Sequence, residues 1–550
     1  KQESLFSSQK DSIRIQKFFT FKRSNICCSF FYTPIYKKVL QLTMKYLFKS
    51  LLKLFILTLL FFNTVYCSTL NLSMTASPSR LNPILANDGA SSEITQWLFN
   101  GLFTYDKNGQ VKMDLAKKYQ FISNTKLHIT LRDDVKWHDG QEFTSQDVLF
   151  TYESIKNPKI YSTLLSEFSK VKSVKVIDKY NLEVIYKEAY FKALEVWMVG
   201  ILPSHIYKNE KDMMTSTYNK KPIGTNSYKL SSFQSGKNIT LTANDDYFEG
   251  RPKIDKILYS YIPDPSTSFL MLKQKQLDVA SLTPLQLDRQ LSSSFKKDFR
   301  IIEQPSKGYN YLGFNLTLQK FKDIRVRKAL SLAINRQELI DIIYFGHGEI
   351  AHGPFLKGSF AFNNKIKSPE QNIEKAKKLL KSAGYDENNP LKFEVVTSTG
   401  SQTGLNTVQI LQHQLKLAGV HMSIKVMEWQ AFINTKIKAK NFEAVVLAWG
   451  LSLMPDAYSI WHSKSSMKGG FNFIGYNNKE VDALIELGAK TVDKDELSRI
   501  YKELFKHISE DVPYLFLAVP NTIKAANRNI QNIKPEFMGL FHNQKDWLKP

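Results

Sequence analysis

The sequence predicts an α/β protein of more than one domain. Three observations carry this. The chain has 550 residues, more than one core usually serves, so two to four domains of about 100–200 residues each are expected. From about 120 to 305 strand signals dominate. From about 306 to 515 helical and strand periodicities alternate, the pattern of an α/β unit with a largely parallel sheet.

The strand-rich part is read from alternation. "KLHITL" puts Leu127, Ile129 and Leu131 on one face, and "YNLEVIY" and "NITLTA" repeat the pattern. Asp139-Gly140 is a turn signal. Thr144 then opens a helix, with Asp147 three residues on in a capping-box arrangement. The nearby acids Glu142 and Asp147 are therefore read as helix-start chemistry and not as an acid–base pair.

In the second part, "RVRKALSLAINRQELIDIIYFG" places Val326, Ala329, Leu330, Ala333 and Ile334 on one helical face, with Gly346 as its stop. A second helix carries Ile373, Ala376, Leu379, Leu380 and Ala383 before Gly384. A third carries Val408, Leu411, Leu415 and Ala418 before Gly419. Strands "LKFEVV", "HMSIKVM" and "FEAVVLAW" intervene, with a further helix after Trp429. Ligands of such sheets bind beyond the carboxyl ends of strands. "FEAVVLAW" ends at Trp449, and "AWGLSLMPDAYSIWHS" follows from Ala448. Trp449 is thus expected to line a cleft and Trp461 to pack. Asp456 is either a ligand contact or the cap of the short helix begun by "AYSIW".

The net charge is +24, but 63 of the 75 basic residues are Lys and they are scattered. Nucleic-acid binding needs clustered charge and is not expected. All three cysteines, Cys27, Cys28 and Cys67, precede residue 68. The body therefore has no disulfide, thiolate metal site or cysteine nucleophile, which suits an oxidising compartment. From Met44, Lys45, Lys49 and Lys53 precede the apolar run Leu54–Phe62, and Val65 and Cys67 stand before a possible cut at Ser68. That is the layout of a secretory signal peptide over 44–67. The run is about half of the ~20 apolar residues a spanning helix needs, and Tyr66 argues against Cys67 as a lipidated residue. No methionine precedes Met44, so 1–43 reads as upstream translation outside the native protein.

Catalytic motifs are missing: there is no G-x-S-x-G, P-loop or G-x-G-x-x-G. In "HGEIAH", His347 and His352 are five apart among glycines, which breaks the i, i+4 spacing of a helical zinc pair. His462 stands alone and reads as structural. No catalytic residue, metal site or cofactor is expected.

Five stretches in order resemble the family 5 extracellular solute-binding proteins, the peptide and nickel receptors of ABC importers. They are "LRDDVKWHDGQEFTSQDVLFTYESI", "PIGTNSYKLSSFQSGKNITLTANDDYFEGRPKIDKI", "YNYLGFNLTLQKFKDIRVRKALSLAINRQELI", "AWGLSLMPDAYSIWHS" with "GGFNFIGYNNKEVDALI", and "DVPYLFLAVP". The resemblance covers about 70–540. It implies an α/β, two-lobed periplasmic-binding-protein-like fold with a hinge. Lobe I would be discontinuous (68–118, 219–305 and 515–550), with an extra subdomain over 119–218, and lobe II would be 306–514.

It further implies a monomeric periplasmic receptor that binds a peptide between the lobes and delivers it to ABC permease subunits in the inner membrane. A receptor for nickel chelates or another small solute is the alternative, and a secreted hydrolase or periplasmic chaperone would be a different class. The loop Trp449, Gly450, Leu451, Ser452 resembles the family's ligand loop. Ser452 stands where peptide-binding relatives carry the acid that pairs with the ligand's ammonium. Asp456 and Asp88 are the substitute acids, and Tyr309 and Tyr311 are further cleft candidates. "GTNSY" at Gly224–Tyr228 departs from the family's G-T-G-P-Y.

Overall fold

The computed structural model describes Met44, Lys45, Leu47 and residues 68–452, 454–467, 470–536 and 539–550. The upstream-translation reading of 1–43 lies outside the described residues, as does nearly all of the signal-peptide reading of 44–67. Residues 67–550 form one compact unit.

Twelve strands build its main sheet: β1 (Thr69–Met74), β2 (Tyr228–Gln234), β3 (Asn238–Ala243), β4 (Lys256–Tyr261), β5 (Val279–Ser281), β6 (Phe299–Pro305), β7 (Gly308–Phe314), β8 (Gly348–Ile350), β9 (Lys392–Ser398), β10 (His421–Met427), β11 (Ala444–Gly450) and β12 (Tyr514–Asn527). Their order is β10-β9-β11-β7-β12-β5-β1-β4-β3-β2, with β6 and β8 also pairing β12. The largely parallel sheet expected for the second half is a mixed one. β9 runs parallel to β10 and β11, but β7 runs antiparallel to β11 and β12. Helical crossovers supply the parallel pairs. β7 continues β6 in the same direction after a two-residue link, and both run antiparallel to β12.

β12 joins the halves. Tyr514–Ala518 pair with β7, and Asn521–Asn527 pair with β6. The core divides accordingly. One group of clusters gathers around β1–β6 and the other around β7–β11 with the helices between residues 324 and 511.

Helix α1 (Gly89–Leu98) precedes a separate four-stranded sheet, Ala116–Ser123, Lys126–Leu131, Asn181–Tyr186 and Val171–Val176 in spatial order, against which α2 (Ser145–Lys156) packs. Leu127, Ile129 and Leu131 are all buried, as their alternation predicts. Asp147 accepts from the Thr144 N–H at 2.9 Å and from the Ser204 N–H at 2.8 Å. It therefore caps α2 and ties the chain at 204 to it.

The longer helices after β7 are α3 (Ile324–Leu332), α4 (Arg336–Tyr344), α5 (Ile373–Ser382), α6 (Gln402–Leu417), α7 (Lys479–Lys490) and α8 (Lys494–Asp511). The single helix expected through Ala333 and Ile334 is two. Asn335 caps α4 by accepting from the Glu338 N–H at 3.1 Å. The break frees the Ser331 carbonyl for the buried Arg336 guanidinium, which also donates to the Phe516 and Pro369 carbonyls. Gly346 ends α4 as expected, after Phe345 in the left-handed region.

The departure "GTNSY" has a structural account. The Gly224 N–H donates to His138 Nδ1 at 3.1 Å, the His138 N–H donates to the Gly224 carbonyl at 2.8 Å, and His138 Nε2 lies 2.9 Å from the Asn226 carbonyl. Asn226 Nδ2 donates to the Gln96 and Phe99 carbonyls at 2.9 and 3.0 Å, closing the C-terminal end of α1. The amide thus offers two hydrogen bonds that a glycine at that position lacks.

His138 has Nδ1 as acceptor and Nε2 as donor, so it is neutral. Burial pushes its pKa from 6.5 down to about 4. A depressed histidine pKa means the unfolded chain binds the proton more tightly. Its contribution to stability is full above about pH 6.5 and is lost as pH falls towards about 4, amounting to about 3 kcal/mol. Asp114, which burial raises to about 7, titrates nearby, so the effect is read as a difference. Denaturant midpoints of the wild type should fall more steeply between these pH values than those of His138→Gln. Parallel curves would refute the assignment.

Candidate functional site

A cavity of about 830 Å³ opens where the chain crosses between the two halves of the sheet. The end of β6 and the turn after it contribute Ile302 to Lys307, and β12 contributes Val519, Thr522 and Lys524. β8 adds Glu349 and Ile350, and the loop after it adds Ala351 to Gly353 and Phe355 to Ser359. The loop after β11 adds Leu451, Ser452 and Pro455, and the C-terminal segment adds Gly539, Leu540 and Phe541. The wall is mainly apolar, with charges at intervals. Apolar area supplies affinity and a few fixed polar groups set orientation.

The sequence-expected residues fall in two groups. Leu451 and Ser452 line the cavity. The Ser452 hydroxyl donates to the Met454 carbonyl at 2.6 Å. Trp449, Gly450, Asp456, Tyr309, Tyr311 and Asp88 are not among its lining residues. Trp449 is half-buried at the end of β11. Its indole Nε1 donates to Tyr514 Oη at 3.3 Å, and its ring lies parallel to Tyr311 (6.1 Å, 9°). Tyr311 stacks on Tyr514 at 4.0 Å, and Tyr514 meets the fully buried Trp461 at 4.9 Å. Tyr309 and Tyr311 are therefore not open cleft walls. They are 1% and 0% exposed, because the rings of Phe516, Tyr514 and Trp449 pack against them on that face of the sheet. Their rings support Trp449 from behind.

Asp456 accepts from the Tyr458 N–H at 2.9 Å at the start of the short helix Tyr458–Trp461. Its charge, added to burial, raises the pKa of Tyr190 and Tyr501. Asp88 is the N-cap of α1, engaged by the Ser91 N–H (2.7 Å), the Ser91 hydroxyl (2.7 Å) and the Ser79 hydroxyl (2.6 Å). Burial opposes its ionisation, but these hydrogen bonds outweigh that and hold its pKa below the ordinary value. The signal was legible as Asp followed three residues later by Ser before a helix.

The histidines of "HGEIAH" are occupied separately. His347 Nδ1 is 2.9 Å from Glu303 Oε1, and His352 Nδ1 accepts from the Ser368 N–H at 3.1 Å. No group of three or more metal-ligating side chains occurs among the described residues. His462 is fully buried, beside Asp482 and Glu486.

Elsewhere, the 188–191 segment reaches the α7–α8 pair. The Phe191 N–H donates to the Ala489 carbonyl at 3.3 Å, Lys490 pairs with Glu188 at 3.2 Å, and the Phe191 ring meets Tyr501.

Residues 110–471 match the model of the bacterial extracellular solute-binding proteins, family 5 (middle). The chain belongs to this family. Family 5 membership rests equally on the oligopeptide-binding protein AppA of Bacillus subtilis, 31% identical over 86% of this chain and 90% of that one. The structure of that AppA in complex with a nonapeptide has a TM-score of 0.78, at 29% identity, covering 88% of this chain and 99% of that one. NikZ of Campylobacter jejuni, in complex with Ni(L-His), also reaches 0.78, at 27% identity over 88% and 100%. The nickel-binding protein NikA of Staphylococcus aureus is 28% identical over 80% and 87%. The family 5 chain thus has the two-lobed fold of periplasmic binding proteins. Sequence reasoning did not connect with the cavity the end of β6, the second half of β12, the segment around β8 or the C-terminal segment. Of these only the segment around β8 carries a pattern, "HGEIAH", read there as a loop without ligand role.

Proposed function

We propose that this protein is the solute receptor of an ABC importer, binding peptides in the cavity beside the two chain crossovers and handing them to a membrane permease. The observation that carries the reading is that cavity: large, mainly apolar, and placed where Ser306–Gly308 and Val519–Asn521 link the halves. Links at such a place serve as hinges, and closure about them would bury the solute and present a new surface to the permease. Lobe I then comprises 68–118, 219–305 and the C-terminal tail, 119–218 is its extra subdomain, and lobe II lies between the crossovers. The Phe191–Ala489 and Glu188–Lys490 contacts hold the subdomain against lobe II and fit a closed conformation. Leu451 and Ser452 form part of the ligand wall, with Gly450 and Trp449 behind them.

The protein acts as a monomer, without enzymatic activity, nucleic acid or cofactor, and is exported by cleavage of 44–67. No helix among the described residues is long and apolar enough to cross a membrane. A second reading, a receptor for a nickel chelate, is favoured by the equal likeness to NikZ with Ni(L-His).

Calorimetry separates the two. Di- to nonapeptide libraries should bind saturably without being cleaved, and nickel–histidine should not. Binding of the chelate with every peptide silent would overturn the peptide reading.

A further inference from the structure

Lys524 is a charged side chain in the interior of the main sheet. It sits in β12 between registered partners on both sides, Ser281 of β5 and Ile302 of β6. Alternation fixes its direction. Its neighbours Ile523 and Ala525 are buried in the cluster that holds Phe269, Leu272 and Phe299, so Lys524 turns to the other face, where it lines the cavity with Thr522. Its ammonium lies 5.2 Å from the centre of the Phe541 ring, also on the cavity wall.

Among the described residues the Lys524 ammonium has no ion pair and no hydrogen bond. Desolvation lowers its pKa, opposed in part by the charge of Glu93. Glu93 is no direct partner. Its carboxylate accepts from the Tyr259 hydroxyl at 3.0 Å. The acids on the cavity wall are engaged elsewhere: Glu303 by His347 and Asn521, and Glu349 by Lys357. A strand-interior ammonium at this depth lacks the anion that would offset its desolvation, and it faces a cavity from which an anion can reach it.

We propose that the Lys524 ammonium anchors a carboxylate of the solute, held in the cavity beside the Phe541 ring. The inference rests on the cavity being the solute site and adds the chemical class of one end of the ligand. A carboxylate there pairs with the ammonium in a medium of low dielectric, where a charge-assisted hydrogen bond is strongest.

The test uses the full exported chain and two di- to nonapeptide libraries free of Asp and Glu, one of free acids and one of C-terminal amides. By calorimetry the acids should bind at least about tenfold tighter than the amides. Lys524→Met should abolish that preference, and Lys524→Arg should keep most of it. Equal affinity for acids and amides in the wild type, or an unchanged preference in Lys524→Met, overturns the anchor while leaving the peptide reading intact.

If neither library binds, the peptide reading falls and the solute-free protein decides the anchor. Stripped of solute by unfolding and refolding, Lys524→Met should melt at a higher temperature than the wild type, because it removes a charge waiting for a partner. An equal or lower melting temperature would mean that the fold itself satisfies the ammonium, and the anchor would be overturned.

Discussion

Gly224→Ala is expected to destabilise the protein by about 3 kcal/mol or more, the upper range for overpacking. A Cβ at this position would lie 1.8 Å from the Leu98 carbonyl oxygen. That obstacle is backbone at the end of α1, so no side chain can move aside. Relief would shift either the end of α1 or the 224–226 segment, and both carry other bonds. His138 bonds to Gly224 and Asn226, and Asn226 closes α1. The added methyl therefore breaks a joint between three parts of the chain that are far apart in sequence. Gly89→Ala is the control, since a Cβ there meets nothing within 4 Å, and its stability should change by less than about 0.5 kcal/mol. Urea unfolding of both variants decides the matter. A Gly224→Ala loss no larger than that of Gly89→Ala would show that the joint is not rigid.

This joint also shows what was legible in the sequence. "KWHDG" and "GTNSY" could be recognised as blocks, but their mutual contact could not be read from either. His138 and Gly224 are 86 residues apart, and no local periodicity carries such a distance. Signals of local origin did better. The alternation at Leu127, Ile129 and Leu131 and the Thr144–Asp147 capping pattern depend on neighbours within a few residues, and they appear as predicted. The helix expected across Ala333 failed because apolar spacing continues through the break. What decides there is the Asn335 cap together with a buried Arg336 seeking distant carbonyls.

The candidate site was legible in part for the same reason. The end of β11 pointed to the loop at Leu451 and Ser452. Asp456 makes the helix-start bond that was one of its two expected readings, to the Tyr458 N–H, whereas Asp88, expected only as a ligand acid, caps α1, a local role that a search for ligand anchors passes over. Lys524 drew no attention, although it stands as a charge between the buried Ile523 and Ala525 in the closing strand. An intrusive charge in an apolar strand is a local signal of a distant site.

Tyr311→Ala should cost about 3–5 kcal/mol, the range for emptying a large aromatic site in a core. The ring is 0% exposed and lies between Tyr514 at 4.0 Å and Trp449 at 6.1 Å, with Tyr309 edge-on. Deleting it leaves a void in a row of rings that cannot collapse readily, because β7 is fixed by β11 and β12 on its two sides. Tyr311→Phe keeps the stack and removes only a hydroxyl, so it should cost no more than about 1.5 kcal/mol.

The pair of variants also separates stability from function. Trp449 rests on Tyr311 and is held at its other end by the Tyr514 hydroxyl, and the loop that enters the cavity begins two residues later, at Leu451. If the aromatic row sets the position of that loop, Tyr311→Ala weakens solute binding even under conditions where it is fully folded, whereas Tyr311→Phe binds as the wild type does. Equal affinity in all three proteins, measured by calorimetry below the melting range, would confine the row to stability and leave Leu451 and Ser452 positioned by their own loop.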